Sequence, residues 1–250
     1  MPALTSQVVN GRKTFIPLEE NNPEVLSCLC QNLGISRDLV FHDVLSTSPE
    51  LLAWIPRPVH ALILLADKPI YEAARSSIES TIPEYDGLGP EEPVVWMRQT
   101  IGHACGLIAL LHSVFNLDGG KYVTPGLQLY EILQQLVELA PSPRAQLLYD
   151  SEFIEQAHMD AASKGSSSPP SPQDDNHHHF VAFVQKKSQV WELNGGLNGP
   201  LLRGALGGDE DLLSDRGLAI TVNDFLDAAQ RTGNGEMSIV AITGPEATLK

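Results

Sequence analysis

The chain has few cysteines, few aromatic residues and few basic residues. Only 3 of its 250 residues are cysteine, a small and odd number that excludes a disulfide framework and favours a reducing compartment. Its 16 Lys and Arg residues stand against 31 Asp and Glu residues, a formal net charge of −15. A nucleic-acid ligand would need the opposite balance, so we expect none. The acidity suits a partner with a basic surface, although acidity also serves solubility alone.

Long hydrophobic runs are also absent. No apolar segment approaches the roughly 18 residues of a membrane span, and the longest candidate, 61–66, is predicted to be a buried strand. Residues 1–13 lack the apolar core of a signal peptide, and no Asn-x-Ser/Thr acceptor occurs. We therefore expect a cytoplasmic, monomeric protein that does not engage a membrane. Its 42% hydrophobic content is enough for one sizeable core or at most two small ones.

The stretch Gln99-Thr-Ile-Gly-His-Ala-Cys-Gly106 indicates a nucleophile. Apolar residues at helical spacing follow Cys105 and place it in the first turn of a central helix. The unpaired N–H groups and the dipole of a helix N-terminus favour a thiolate there. Gln99, six residues upstream, is placed to direct its amide at a developing oxyanion, with the Cys105 backbone N–H as second donor.

A candidate base and a residue to orient it follow far downstream, in the chain order of a papain-like protease. His179 and Asn194 bound two short apolar segments that predict a β-hairpin. With Lys186 and Lys187 as the turn, His179 and Asn194 would be directly opposite, with Cβ atoms roughly 5 Å apart. Asn194 would then accept a hydrogen bond from one imidazole nitrogen and leave the other for Cys105.

Each of these residues also has a structural interpretation. A lone cysteine on a central helix is most often a small core side chain, and a lone histidine at a strand start is most often structural. The run His177-His-His179 resembles a casual metal site, but three consecutive strand residues cannot all face one ion. We therefore expect neither a metal nor a cofactor. Chain order and hairpin register favour a catalytic set of four residues: Gln99, Cys105, His179 and Asn194.

Helix signals and turn signals organise the remainder of the chain. Asn22 and Pro23 are typical of the N-cap and the first residue of a helix. Pro143 to about Ala162 predicts one continuous helix. The Gly-rich stretch 195–208 predicts a connecting segment, and Thr221 is expected to cap the last helix. The low-complexity stretch 163–176 cannot bury a core and predicts a long flexible loop inside the domain, or a linker.

The chain resembles the ubiquitin carboxyl-terminal hydrolase family of deubiquitinating cysteine proteases. The gap of six residues from Gln99 to Cys105 and the gap of fifteen from His179 to Asn194 both agree with that family. The matching segments are residues 15–19 with 22–24, 56–58, 99–106, and 179–182 with 192–195.

That resemblance implies a fold, a reaction and a set of roles. The implied fold is α+β: a single α-β-α domain of papain-like cysteine-protease type over residues 1–250, with a six-stranded, mostly antiparallel sheet between helices and a knotted backbone. The implied reaction is hydrolysis of adducts after the C-terminal glycine of ubiquitin, the expected partner. Cys105 would be the nucleophile, His179 the base and Gln99 the oxyanion donor. Residues 157–176 would be a crossover loop that arches over the active site and limits the leaving group.

Three positions depart from the family pattern. Asn194 stands where Asp is typical, His103 where Asn is typical, and Leu107 where Thr is typical. A neutral amide stabilises an imidazolium less than a carboxylate does, and the same change in a serine triad costs about 10⁴ in rate. A thiol is more acidic at the outset, so we expect an active hydrolase, at most slowed. The alternatives are a catalytically weakened ubiquitin-binding module and a papain-like protease for a different, basic peptide.

Overall fold

The fold is described by a computed structural model that covers residues 5–18, 20–164, 171–233 and 235–249. Its strands, in chain order, are β1 (Gln7–Val9), β2 (Arg12–Thr14), β3 (Val40–Asp43), β4 (Arg57–Asp67), β5 (His178–Lys186), β6 (Gln189–Leu193), β7 (Leu201–Ala205) and β8 (Met237–Thr248). Its helices are α1 (Pro23–Leu33), α2 (Pro49–Leu52), α3 (Lys68–Glu79), α4 (Cys105–Asn116), α5 (Gln128–Val137), α6 (Pro141–Asp150), α7 (Glu152–Ala162), α8 (Asp215–Ile220) and α9 (Asn223–Thr232).

A six-stranded sheet runs through the described part of the chain. Its strand order is β3-β8-β4-β5-β6-β7, and every neighbouring pair is antiparallel. β1 and β2 form a separate two-stranded hairpin. The predicted α+β class with a six-stranded sheet between helices is confirmed, and the segment 61–66 is a strand at its centre as expected.

Apolar side chains cover both faces of this sheet. Along β5, Phe180, Ala182 and Val184 belong to the core that contains α4, whereas Val181 and Phe183 belong to the core that contains α9. This alternation follows from the two-residue repeat of a strand. Because both faces are covered, the central strands read as continuous apolar runs in the sequence.

The signals at helix ends give one confirmation and one correction. Asn22 caps α1 by accepting a hydrogen bond from the Glu24 N–H at 2.8 Å, and Pro23 is the first helical residue, as predicted. The single helix expected over 143–162 is wrong, because Ser151 divides it into α6 and α7. The Ser151 backbone is extended, and its hydroxyl accepts from the Ile154 N–H at 3.2 Å, so this serine ends one helix and caps the next.

Two further expectations fail between β6 and β8. The Gly-rich stretch 195–208 contains a strand, β7, which completes one edge of the sheet. Thr221 does not cap α9. Its hydroxyl donates to the Gly217 carbonyl at 2.6 Å, four residues back, so that Thr221 ends α8 instead, and α9 begins two residues later.

The loop before β5 is shorter than the crossover loop over 157–176 that the family resemblance implies, and begins at residue 163, as composition predicts. Ala157–Ala162 are helical, because this last turn and a half of α7 is buried against α1 and the segment before it. Asn32 of α1 donates to the Ala157 carbonyl at 3.2 Å, and the His158 ring bonds to the Ile16 carbonyl at 2.8 Å. Between α7 and β5, residues 163–164 and 171–177 belong to neither element, and residues 165–170 lie outside the described residues.

Candidate active site

Cys105 is the first residue of α4, as its sequence context predicts. The side chain is only 6% exposed, and the whole of α4 is buried. Burial raises the pKa of the Cys105 thiol. The backbone N–H groups of Phe180, Gly106 and Cys105 itself act in the opposite direction and lower it. The resting side chain is thus a neutral thiol, surrounded by donors that favour an anion once one forms.

His179 is the second residue of β5 and is adjacent to Phe180, one of those donors. It pairs with Ala66 on β4. Burial lowers the pKa of His179, and a hydrogen bond with the Asn194 side chain acts in the opposite direction. Nε2 of the ring is buried and has no hydrogen-bond partner among the described residues. The lowered pKa favours a neutral imidazole at neutral pH, in which one ring nitrogen carries no proton and can accept one.

The predicted pairing of His179 with Asn194 has the correct face and the wrong register. Lys186 pairs with Gln189, so the hairpin turns at the two residues between them, and Lys187 adopts a left-handed φ of 57°. The observed register is shifted by two positions from the predicted one. An even shift keeps a residue on its face of the sheet, so Asn194 is a diagonal neighbour of His179 and is not directly opposite it.

Asn194 uses both ends of its buried amide. Nδ2 donates to the Tyr71 hydroxyl at 2.8 Å, and Oδ1 accepts from the Gly196 N–H at 2.8 Å. The Tyr71 ring lies 4.5 Å from the His179 ring, centroid to centroid. Tyr71 therefore contacts both His179, the predicted base, and Asn194, the residue predicted to orient it. No feature of the α3 sequence distinguished this tyrosine from an ordinary half-buried helix residue.

Gln99 lies in an extended segment that precedes α4 and is bonded to the loop after β6. Its backbone N–H donates to the Gly195 carbonyl at 2.8 Å. Its side-chain Nε2 donates to the Ile101 carbonyl at 3.1 Å, which commits one amide hydrogen and leaves the second for another acceptor. The segment is thus held by both main-chain and side-chain bonds.

One cleft of about 380 Å³ brings the predicted residues together. Gln99, Cys105 and His179 all line it, whereas Asn194 lies behind the base and does not. His103, the departure from the family pattern two residues before the nucleophile, also lines the cleft and has a left-handed φ of 58°. Burial lowers the pKa of His103. Leu107, the third departure, is buried in the core beneath.

Neither a metal cluster nor a membrane helix occurs in the ranges that the structure covers. No group of three or more His, Cys, Asp or Glu side chains there is arranged to hold an ion. None of the helices described is long and apolar enough to cross a bilayer. The three cysteines, including Cys28 and Cys30 on α1, are free thiols.

Known proteins match this chain over a range that contains all four predicted site residues. The family model described as "Ubiquitin carboxyl-terminal hydrolase, family 1" matches residues 15–226. The chain belongs to this family. A ubiquitin carboxyl-terminal hydrolase of Aplysia californica is 33% identical, over 80% of this chain and 90% of that one. The isozyme L1 of Rattus norvegicus is 31% identical, over 89% and 96%.

Solved structures show the same fold for this ubiquitin carboxyl-terminal hydrolase family member. The catalytic domain of Trichinella spiralis UCH37, bound to ubiquitin vinyl methyl ester, superposes with a TM-score of 0.66 at 20% sequence identity. The likeness covers 91% of this chain and 94% of that domain. The β1–β2 hairpin lies before residue 15, outside the range that the family model matches.

Proposed function

We propose that the chain is a thiol-dependent ubiquitin C-terminal hydrolase, a deubiquitinase that cleaves small or flexible adducts after the C-terminal glycine of ubiquitin. The observation that carries the proposal is the convergence of Gln99, Cys105 and His179 on one cleft. Membership in the family supports the reaction, and relatives of 31–33% identity bear the name of that activity.

In the first half-reaction, the His179 imidazole takes the proton from the Cys105 sulfur as the sulfur attacks the carbonyl carbon of the terminal glycine. The carbonyl oxygen becomes an oxyanion, which accepts from the free Gln99 amide hydrogen and from the Cys105 backbone N–H. The C–N or C–O bond to the adduct then breaks, and the imidazolium returns its proton to the leaving group. The products are the freed adduct and a thioester on Cys105.

In the second half-reaction, His179 removes a proton from a water molecule that attacks the thioester. The C–S bond breaks, ubiquitin leaves as a carboxylic acid, and the His179 imidazolium returns its proton to the Cys105 sulfur. Asn194 holds the ring throughout and is itself held by Tyr71. Since thiol and imidazole are both neutral at rest, the charge separation develops only with the substrate in place.

The proposal extends to the loop over residues 163–177 and to the domain as a whole. Pro172 to Asn176 line the same cleft as Cys105, which supports a loop that borders the leaving-group path and limits its size. We take residues 1–250 as one catalytic domain around this cleft.

Insertion of a Gly/Ser segment after Ser171 should widen the range of leaving groups that the enzyme accepts. Unchanged discrimination between small and large adducts would contradict the proposed role of the loop.

A second surface supports ubiquitin as the partner. A groove of about 1010 Å³ is lined by the exposed apolar side chains Leu45, Leu51 and Trp54 and, among others, the exposed acids Glu24, Asp43 and Glu236. Leu65 of β4 lines the groove, and the next residue along this strand, Ala66, pairs with His179, so the groove lies near the end of β4 that carries the proposed base. Exposed apolar residues rimmed by acids suit a partner with a basic, partly apolar face, such as ubiquitin.

Replacement of Trp54 tests this groove. Trp54 is 76% exposed, and aromatic anchors of this kind commonly carry about 2 kcal/mol of binding energy. Trp54→Ala should therefore raise KM for a ubiquitin ester by up to about 30-fold, the equivalent of 2 kcal/mol, with little change in kcat. Leu202→Ala, at an exposed apolar residue on β7 outside the groove, is the matched control. Equal KM values for both variants would exclude the groove as the ubiquitin site.

The reaction itself is tested with a fluorogenic ester or amide at the C-terminus of ubiquitin. Wild type should turn it over, Cys105→Ala should reduce turnover to the spontaneous rate, and Cys28→Ala should have no effect. A ubiquitin-based electrophile should label Cys105. No turnover by wild type, or equal turnover by Cys105→Ala, would overturn the proposal. Binding of ubiquitin without labelling would instead favour the non-catalytic module.

Cellular setting is the last part of the proposal. We propose a monomer that acts in the cytoplasm on ubiquitin conjugates and has no nucleic-acid ligand. The free thiols and the formal charge of −15 support this setting. Light scattering after size exclusion and fractionation of cells test it, and a stable dimer or an organellar pool would contradict it.

A further inference from the structure

We propose that Arg12 is a positioning residue for Gln99, and that the β1–β2 hairpin belongs to the catalytic apparatus. The inference rests on the proposed function, since it concerns the oxyanion donor of that reaction. It adds a component that lies before the residues matched by the family model.

The Arg12 guanidinium binds three consecutive carbonyl groups of the segment that carries Gln99. Its Nε donates to the Thr100 carbonyl at 2.5 Å. Its Nη2 donates to the Gln99 carbonyl at 3.1 Å and to the Ile101 carbonyl at 3.2 Å. A planar guanidinium presents several N–H donors in a fixed geometry, so this contact fixes the backbone path of residues 99–101. The single ammonium group of a lysine would fix it less well.

The Ile101 carbonyl links this clamp to the side chain that does the chemistry. The same oxygen accepts from Arg12 Nη2 and from the Gln99 side-chain Nε2, at 3.2 and 3.1 Å. A carbonyl has two lone pairs, so both bonds can form together. Arg12 therefore fixes the acceptor that orients the Gln99 amide, and with it the direction of the second amide hydrogen. Both side chains line the cleft.

The hairpin is itself fastened to the same segment by its backbone. Phe15 N–H donates to the Gly102 carbonyl at 3.0 Å, and Gly102 N–H donates to the Lys13 carbonyl at 2.8 Å. A Cβ at Gly102 would lie 2.6 Å from the Thr14 hydroxyl oxygen, so only glycine permits this approach. These bonds fix the backbone next to Arg12 relative to the segment that carries Gln99.

The hairpin also reaches the other side of the cleft. Gln173, in the loop before β5, donates through Nε2 to the Gln7 side-chain oxygen at 3.3 Å. Val9 and Asn10 line the cleft together with Arg12. The hairpin is therefore one wall of the cleft, between the oxyanion segment and the loop.

Steady-state kinetics with a ubiquitin C-terminal ester test the role of Arg12. Arg12→Ala should lower kcat about 10-fold, less than the roughly 10²–10³ for complete loss of an oxyanion donor, with KM within twofold of wild type. Arg12→Lys should be intermediate. Alkylation of Cys105 by iodoacetamide needs no oxyanion donor, so its rate should not change. Arg216→Ala is the matched control, because Arg216 is also exposed and also donates to a carbonyl, that of Ala205.

A double-mutant cycle separates positioning from a general structural effect. Gln99→Ala should lower kcat about 10²-fold, and Arg12→Ala added to it should cost no further activity. A full additional 10-fold loss in the double variant would overturn the inference. So would an unchanged kcat in Arg12→Ala, or an equal fall in kcat and in the alkylation rate. An inactive wild type would overturn the proposed function as well, whereas an active wild type with an unaffected Arg12→Ala overturns this inference alone.

Discussion

At the residue scale, the residue proposed to orient the base is a neutral amide, Asn194, whose two ends are both occupied. Asn194 donates to Tyr71 and accepts from the Gly196 N–H, each at 2.8 Å, so its orientation is set by two partners on different elements. The Asn194 side chain also opposes the decrease in the His179 pKa that burial causes. A neutral group holds the ring well but stabilises its charged form only weakly.

Asn194→Asp should therefore give an equal or higher rate. A carboxylate beside the ring favours the imidazolium and raises the pKa of His179, which increases the thiolate population of Cys105 at neutral pH. The readouts are kcat/KM on a ubiquitin ester and the rate of Cys105 alkylation by iodoacetamide at pH 7. Both should stay equal or increase.

Asn198→Asp is the control for this variant, since it adds the same charge to the same loop at an exposed position. It should change neither rate. A large fall for Asn194→Asp would mean that the amide donor to Tyr71 matters more than charge at the imidazole, and the account of the orienting residue would then be wrong.

Tyr71→Phe isolates the hydroxyl from the ring. The aromatic contact with His179 is kept, while Asn194 Nδ2 loses its acceptor in a buried site, a loss that commonly costs about 1–3 kcal/mol. We expect kcat to fall about 10-fold with KM nearly unchanged, since the substrate does not touch this hydroxyl in the proposed mechanism. Tyr130→Phe on α5, outside the cleft, is the control. Equal kcat for both variants would remove Tyr71 from the orienting network.

At the scale of elements, the site forms where the loop after β6 packs on the segment before α4. Gln99 N–H donates to the Gly195 carbonyl at 2.8 Å, and Trp96 Nε1 donates to the Asn194 carbonyl at 3.1 Å. Gln99, the proposed oxyanion donor, and Asn194, the residue proposed to orient the base, are therefore fixed to one another, although they are far apart in sequence.

Gly195→Ala should disrupt this contact. A Cβ there would lie 2.9 Å from the Gln99 nitrogen and 2.9 Å from the Met97 carbonyl oxygen, and backbone atoms cannot move aside cheaply. A displacement of about 1 Å in a catalytic segment can cost about 10² in rate. We expect a fall in kcat of that order and a lower melting temperature. Gly208→Ala, where nothing lies within 4 Å of the added Cβ, should leave both unchanged. Full activity of Gly195→Ala would show that the two segments move independently.

At the scale of elements, features set by local sequence are predictable, whereas features set by contacts between distant elements are not. The position of Cys105 on α4 and the cap of α1 follow from local apolar spacing and capping residues, and both are confirmed. The register of the hairpin between β5 and β6 depends on which turn residue adopts a left-handed φ. Lysine is not a residue type typical of that conformation, so composition does not predict it at Lys187. The contacts of Tyr71 and Arg12 join residues roughly a hundred positions apart, which periodicity does not encode.

At the scale of the whole molecule, two buried histidines outside the cleft help to hold its supporting segments. His112 of α4 accepts through Nε2 from the Met97 N–H at 2.9 Å, two residues before Gln99. His158 of α7 bonds to the Ile16 carbonyl at 2.8 Å. Burial lowers the pKa of His112 to about 3 and that of His158 to about 4, so both rings are neutral in the folded protein.

Neutral buried histidines make the free energy of unfolding depend on pH. The unfolded chain binds protons at these rings below about pH 6.5, whereas the folded protein does not until about pH 3 to 4, so stability falls as the pH is lowered through this window. Between pH 7 and 5 the loss should be about 2 kcal/mol for each histidine, measured by urea unfolding at the two pH values. His158→Gln keeps a donor for Ile16 and should remove one of these two contributions. His177→Gln, at an exposed ring, should remove neither. Equal unfolding free energies at pH 7 and 5 for wild type would mean that these rings are reached by protons in the folded state, and that the core around α4 and α7 is more open than its packing indicates.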